Sequence, residues 1–298
     1  MKTQTSIHQW LHCLISELES VGQYKTAQCY QNCLRSFASF CKTAEPNLNE
    51  LTSSMMVNYQ QFLLSKDISF NTISFYMRIL RAAYHKAVRM GLAEDRNLFS
   101  CVYTGVAKTE KRAVNADIIH RLRQLNLSNR PGLAFSRDLF LLSFYFRGMA
   151  FVDLAHLRKG SVDADFLRYK RSKTKQDLRV KIEPCAKEIL DRYSCLHSDL
   201  LLPILDSRER PQLAYNSALR LHNKRLSDLS KLLNLQQTLS SYVARHSWAT
   251  LAKRSGVELT VISESLGHNS LATTQIYLDS LDQDRIDDAN SLVIAMVG

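Results

Sequence analysis

Through residues 1–105 the apolar side chains return every three or four positions, and only between residues 166 and 182 does the spacing contract to two. A chain patterned this way folds as helices packed on helices, with room for one small hairpin sheet. Breakers are scarce, since 9 Gly and 5 Pro in 298 residues exclude collagen-like and low-complexity architectures. With 45% apolar and 22% charged residues the chain can bury a sizeable core and is not disordered. Its length suits one large domain or two ordinary ones.

The helical spacing can be followed residue by residue. Ser6 and Gln9 make a capping-box signature ahead of Ile7, Trp10, Leu11, Leu14, Leu18 and Val21. Thr26 is expected to cap a second helix, whose Tyr30, Cys33, Leu34, Phe37 and Cys41 share a face. A third is expected over Ser54 to Leu64. A fourth begins near Asn71, turning Ile73, Tyr76, Leu80, Ala83 and Ala87 inward and Arg78, Arg81, His85, Lys86 and Arg89 outward. A basic stripe is ordinarily a solvated face. Here no acid lies between Arg78 and Arg89, which favours phosphate contact.

The pattern lapses at residues 104–115, a short basic linker containing Lys108, Lys111 and Arg112. A domain boundary is expected there, with a helical domain over 1–105 and a mixed one over 106–298. The first part carries 10 basic and 7 acidic groups and the second 29 and 21, so both are basic. The second part is expected to open with helices around Asp117–Leu125 and Asp138–Phe146. Strands follow at Phe166–Arg171 and Leu178–Ile182, joined by a polar turn around Thr174–Asp177. Helical patterns resume from Cys185 to the end. The fold class is therefore mainly α with a small β-sheet.

A net charge of +11 and a pI near 9.3 favour a polyanionic partner, nucleic acid before membrane surface. The 7 cysteines are scattered and none forms a Cys-x-x-Cys pair, which fits a reducing compartment. No signal peptide is visible, and the longest apolar run, Leu139 to Phe146, is broken by Ser143 and far too short for a membrane span. These features point to a soluble protein of the cytoplasm. His8-Gln9-Trp10-Leu11-His12 mimics a zinc-protease helix, but Gln9 stands where the general base is needed, and no metal site is expected.

The informative stretch is Tyr242-Val243-Ala244-Arg245-His246-Ser247-Trp248-Ala249-Thr250, then Leu266-Gly267-His268, then Thr273-Thr274-Gln275-Ile276-Tyr277. Any one of these could arise by chance among 12 tyrosines and 9 histidines, but all of them stand in register. In this the chain resembles the tyrosine recombinase (phage integrase) family, which combines an Arg-His-x-aromatic-Ala-Thr box, a Leu-Gly-His box and a tyrosine nine residues beyond that His. The resemblance covers most of the chain and implies a helical, SAM-like core-binding domain followed by a catalytic domain. It further implies that Tyr277 attacks the scissile phosphate to give a 3′-phosphotyrosyl link. Arg245 would clamp two non-bridging oxygens with its planar fork, and His268 would hydrogen-bond to the same phosphate. No cofactor is implied, because phosphodiester exchange keeps the bond energy in the covalent intermediate. The family's general acid is a hairpin lysine. Lys173, in Arg171-Ser172-Lys173-Thr174 on the strand leading into the expected hairpin, best matches its context, with Lys170 and Lys175 as alternatives. Seven basic residues lie between 168 and 181 against Asp177, and Lys170, Arg171 and Lys175 are candidate phosphate contacts.

Two positions depart from the family. Tyr242 stands where a His normally precedes the arginine by three, and a phenol with a pKa of about 10 donates a hydrogen bond but is a poor base. Gly148-Met149 is followed by Ala150 where the first family arginine belongs. Arg147, three residues earlier, is expected to supply that missing clamp, because a helix running on past Phe146 would put the two positions on one face. Asp153 keeps the acidic position that follows and could instead hold Arg147 in a structural salt bridge.

The resemblance implies a site-specific recombinase that clamps duplex DNA and assembles as a tetrameric synapse. Accessory DNA-bending or directionality proteins would be possible partners, and membranes would not. Two alternatives stand beside it: a monomeric nicking-closing enzyme of the type IB topoisomerase kind, and a non-catalytic DNA-binding relative disabled at Tyr242 and Ala150.

Overall fold

The computed structural model describes residues 5–42, 44–107, 113–193, 199–205, 211–271, 274–275 and 294–296. The chain divides into two compact units, Met1–Thr109 and Glu110–Gly298, each closed around its own apolar core.

The first unit is built from α1 (Ile7–Ser20), α2 (Tyr24–Cys41), α3 (Ser53–Leu64) and α4 (Phe70–Arg89). The capping box forms in both directions: Gln9 N donates to Ser6 Oγ at 3.1 Å, and Ser6 N to Gln9 Oε1 at 3.3 Å. Ile7, Trp10, Leu11 and Leu14 are buried as the spacing predicts. Each such side chain contributes roughly 1.5–3 kcal/mol relative to exposure. Trp10 Nε1 also donates to Ala83 O at 2.8 Å, fastening α1 to α4.

Three expectations need correction in this unit. Val21 lies beyond the end of α1, where Gly22 at φ 73° reverses the chain, and it is exposed. Thr26 caps nothing, because α2 already begins at Tyr24 with Gln23 in the cap position. Tyr76 is only half-buried, whereas Ile73, Leu80, Ala83 and Ala87 are fully inside. The cap of α4 is Ser69, whose hydroxyl accepts from Thr72 N at 3.4 Å.

The second unit contains α5 (Ala116–Gln124), α6 (Pro131–Tyr145), α7 (Phe151–Ala155), β1 (Val162–Asp163), β2 (Phe166–Lys170), β3 (Asp177–Lys181), α8 (Pro184–Arg192), α9 (Pro211–Leu232), α10 (Val243–Arg254) and α11 (Leu259–Ser265). Helix α6 is its axis and packs against α5, α8, α9 and α10. Leu139, Phe140, Leu141 and Leu142 are all buried, as a helix surrounded by other helices requires. It starts seven residues earlier than expected, at Pro131, whose fixed φ suits a first helical turn. It also stops at Tyr145, and Arg147 and Gly148 take left-handed φ values of 58° and 71°. The helix therefore does not run on, and Arg147 and Ala150 do not share a helical face.

The sheet is antiparallel in the order β1-β2-β3, with Lys170 opposite Asp177 and Phe166 opposite Lys181. The short strand β1 has no counterpart in the sequence reading. The loop between β2 and β3 spans 171–176 and is closed by Arg171 N to Gln176 O at 2.8 Å and Lys175 N to Arg171 O at 2.9 Å. Lys173 sits on this loop rather than on the preceding strand. The fold is mainly α with a small β-sheet, and among the described residues no helix is long and apolar enough to cross a membrane.

Candidate active site

Helix α10 delivers Arg245 on the side that also buries Val243, Ala244 and Ser247, leaving the arginine 3% exposed. Its Nη1 donates to Gly148 O at 2.9 Å, and its Nη2 to Leu266 O at 2.6 Å and to His268 Nε2 at 3.0 Å. Its Nε is buried with no hydrogen-bond partner among the described residues. The turn at 147–148 passes so close that a Cβ on Gly148 would lie 2.7 Å from Arg245 Cα. With its positive φ as well, position 148 has room only for glycine.

His268 follows α11 and is half-buried. A guanidinium can only donate, so His268 Nε2 is the acceptor and the ring proton resides on Nδ1. That proton is donated to Thr274 Oγ1 at 2.7 Å. Burial, and then the neighbouring charges of Arg245, Arg171 and Lys173, push the imidazole pKa down to about 4. At neutral pH the ring is uncharged and presents a lone pair to Arg245.

The hairpin loop is pinned to this pair from the other side. Arg171 is 7% exposed and its Nη1 donates to Gly267 O. Thr174 Oγ1 donates to the same carbonyl at 3.2 Å. Ser172 N donates to Oδ1 of the buried Asp153 at 2.8 Å. Gly267, at φ 61°, lets the loop approach, since a Cβ there would lie 3.0 Å from Arg171 Cδ. Lys173 is thereby held, exposed, within electrostatic range of His268. Lys170, at the end of β2, and Lys175, at φ 60°, are exposed as well.

Arg171, a candidate phosphate contact in the sequence reading, is buried within the site, a position the sequence reading did not anticipate. The signal was present: Leu167, Tyr169 and Arg171 alternate onto the inward face of β2 and its extension. Burial, then Arg245, disfavours its charged form, and Asp153 favours it. Thr274, as the partner of the imidazole, went unassigned from sequence.

The remaining candidates are placed as follows. Tyr242 caps α10, is 51% exposed and sets its ring edge-on to His246 at 4.7 Å between centroids. Arg147 is half-buried, and among the described residues no ion pair joins it to Asp153, whose Oδ1 accepts from the loop instead. On α4, Arg78 and Arg89 are exposed and Arg81 is half-buried. Lys86 pairs with Glu17 of α1 at 2.7 Å, so part of that stripe is neutralised by an acid from a neighbouring helix. Tyr277, Lys108, Lys111 and Arg112 lie outside the described residues. Among the described residues no cluster of His, Cys, Asp and Glu could hold a metal ion. His8 of the zinc-like pair is buried and His12 exposed.

Two buried guanidinia, a neutral imidazole and a lysine on an anchored hairpin loop make a candidate site with the chemistry to receive an anionic oxygen cluster, carried by a mainly helical protein of two units. The chain belongs to the phage integrase family, the tyrosine recombinases: the family model of that description matches residues 122–284, and a phage integrase SAM-like domain matches 6–101. It is 22% identical over 285 residues to a tyrosine recombinase XerD of Listeria monocytogenes, covering 91% of this chain and 92% of that one. It is 28% identical over 152 residues to a tyrosine recombinase of Thermosipho africanus, a match spanning 50% of this chain and 51% of the relative. In fold it resembles a lambda integrase dimer bound to a COC′ core site, with a TM-score of 0.71 at 16% identity, covering 94% of this chain and 79% of the other. The Tn1549 transposon integrase in complex with circular intermediate DNA gives 0.67 at 12% identity, covering 96% and 99%.

Proposed function

We propose that the protein is a site-specific DNA recombinase that cuts and rejoins duplex DNA through a covalent tyrosyl intermediate. The observation that carries this reading is the Arg245–His268 pair, 3.0 Å apart, with the Lys173 loop tied to the same backbone segment. Such a group offers what phosphoryl transfer needs: cations for the equatorial oxygens and a proton donor for the leaving alkoxide. Tyr277 Oη attacks phosphorus, the bond to O5′ breaks, Lys173 delivers a proton to O5′, and the phenolic proton is lost to solvent. The product is a 3′-phosphotyrosine and a free 5′-hydroxyl. Tyr242 takes a positional role. A phosphate in the site opposes the field of Arg245, Arg171 and Lys173, which lets His268 donate to it.

Arg78, Arg81, Arg89, Lys108, Lys111, Arg112, Lys170 and Lys175 serve as phosphate contacts along the duplex, and Lys86 adds the share of its charge that Glu17 leaves. Four protomers act on two sites in the cytoplasm, on the nucleoid, with room for accessory DNA-bending or directionality proteins. A lambda integrase tetramer bound to a Holliday junction supports the assembly by likeness of fold, with a TM-score of 0.68.

The test is a duplex nicked beside the cleavage position, so that the short product diffuses away. Wild-type protein should accumulate a denaturation-resistant adduct with this DNA, and Tyr277→Phe should form none while binding within about threefold of wild type. Binding without an adduct in the wild type would instead favour a DNA-binding relative that has lost catalysis.

A further inference from the structure

Deepening that reading and resting on it, we infer that Arg171 is the second guanidinium of the phosphate site, filling from the hairpin loop the role that Ala150 cannot. Three observations carry this.

The first is charge. Arg171 and Arg245 are 7% and 3% exposed, and their charges converge with that of Lys173 on His268. Among the described residues the carboxylate that acts on Arg171 is Asp153, whose Oδ1 is already occupied by Ser172 N–H. Buried guanidinia are costly unless an anion meets them. A phosphodiester supplies that anion.

The second is hydrogen-bond valence. Arg171 Nη1 is satisfied by Gly267 O, while its Nε and Nη2 donate to nothing among the described residues. Arg245 Nε is buried and equally unpaired. The two side chains therefore leave N–H groups over, as a fork that binds non-bridging oxygens does.

The third is convergence. Arg245 holds the carbonyl of Leu266 and Arg171 holds the next one, at Gly267. Both guanidinia are thereby tied to the segment immediately before His268, within range for the charge of Arg245 to act on Arg171. Arg147 has no such anchor among the described residues. The left-handed turn that ends α6 directs its backbone away from the helical geometry by which it would have reached Ala150's place.

The experiment uses the full chain and the nicked duplex, made once with an ordinary scissile phosphate and once with a methylphosphonate, which lacks one non-bridging charge. Arg171→Gln keeps an amide able to donate to Gly267 O but removes the cation. On the phosphodiester it should form adduct at least about a hundredfold more slowly than wild type. On the methylphosphonate, where one fewer cation is needed, it should recover at least about tenfold of that loss. Arg171→Lys should remain slow, because a point charge does not replace the fork. Arg147→Ala should cleave within about threefold of wild type on both substrates. Arg171→Gln cleaving normally would overturn the inference. So would a slow variant without methylphosphonate recovery, since that assigns Arg171 only to holding the loop. If wild-type protein forms no adduct, the proposed function falls and this inference with it. A normal wild-type adduct with an unaffected Arg171→Gln removes the inference alone.

Discussion

Among the described residues the second unit holds two clusters with a buried charge, and it resolves them in opposite ways. At the junction of α6 and α8, Asp138 is almost wholly enclosed and fully answered: Arg137 Nε and Arg192 Nη1 donate to it at 2.7 Å each and Tyr193 Oη at 2.8 Å. At the junction of α10, the hairpin loop and Gly267, Arg245 and Arg171 are buried with donors to spare and one engaged carboxylate beside them. A cluster whose charges and hydrogen bonds close on themselves has nothing left for a ligand and serves the fold. One that is left positive is stabilised only when something else arrives. Each cluster encloses a charged group almost wholly, Asp138 in one and Arg245 in the other, so the distinction lies in the balance of donors, acceptors and charge.

The largest effects should come from forcing each cluster into the other's condition. Asp138→Ala leaves the largely buried Arg137 without its carboxylate and should lower folding stability by roughly 3–5 kcal/mol, read as a shift in the urea midpoint. The folded fraction should still cleave, and a slow chemical step in that fraction would erase the distinction between the clusters. Lys173→Ala should do the converse, leaving the urea midpoint nearly unchanged while slowing cleavage about a hundredfold or more. Replacing the leaving 5′-oxygen by sulfur should restore its rate, because a thiolate departs without a proton. Without that rescue Lys173 becomes one more phosphate contact, and Lys170 and Lys175 return as candidates for the acid.

A smaller effect tests the packing that joins the two sides. Gly148→Ala places a methyl group against Arg245 Cα at a left-handed position and should cost about 1–3 kcal/mol. Cleavage should fall by more than stability does, because the displaced group is Arg245; equal losses would make the turn purely structural. The smallest is a pH effect from His222, a buried imidazole stacked on Phe151 at 4.7 Å, which lies outside both clusters. Burial first, then Arg225, lowers its pKa to about 3. The unfolded chain therefore binds the proton more tightly, so stability is complete above about pH 6.5 and declines as pH falls toward 3. His222→Phe keeps the stacking and should flatten that decline between pH 7 and 4 in thermal melts. An unchanged slope would assign the acid sensitivity to other groups.

Much of this was readable in one dimension. Spacing alone located α1 through α4 and their buried faces, because helical packing in the first unit is local and periodic. Where it erred, the cause was local too: Gly22 turned Val21 out, and an undistinguished Gln23 took the cap from Thr26. The lysine-bearing hairpin and the Arg245–His268 register were equally legible, since a strand betrays itself by its period and a motif by its spacing. What could not be read was who faces whom. Nothing along the chain states that Glu17 neutralises Lys86, or that Asp153 holds the loop at Ser172 rather than Arg147.

The sequence by itself thus determined the helical elements and the basic character, which follow from residue type and periodicity, and its family resemblance supplied the candidate reactive groups. Only the tertiary structure decided which arginine stands beside Arg245. A break in α6 at Phe146 took Arg147 off its helix, and two glycines, at 148 and 267, let separate backbones close on Arg245 and Arg171. Close approach of that kind is a property of surfaces meeting in space, and residues 148, 171, 245 and 267 meet only once the chain has folded.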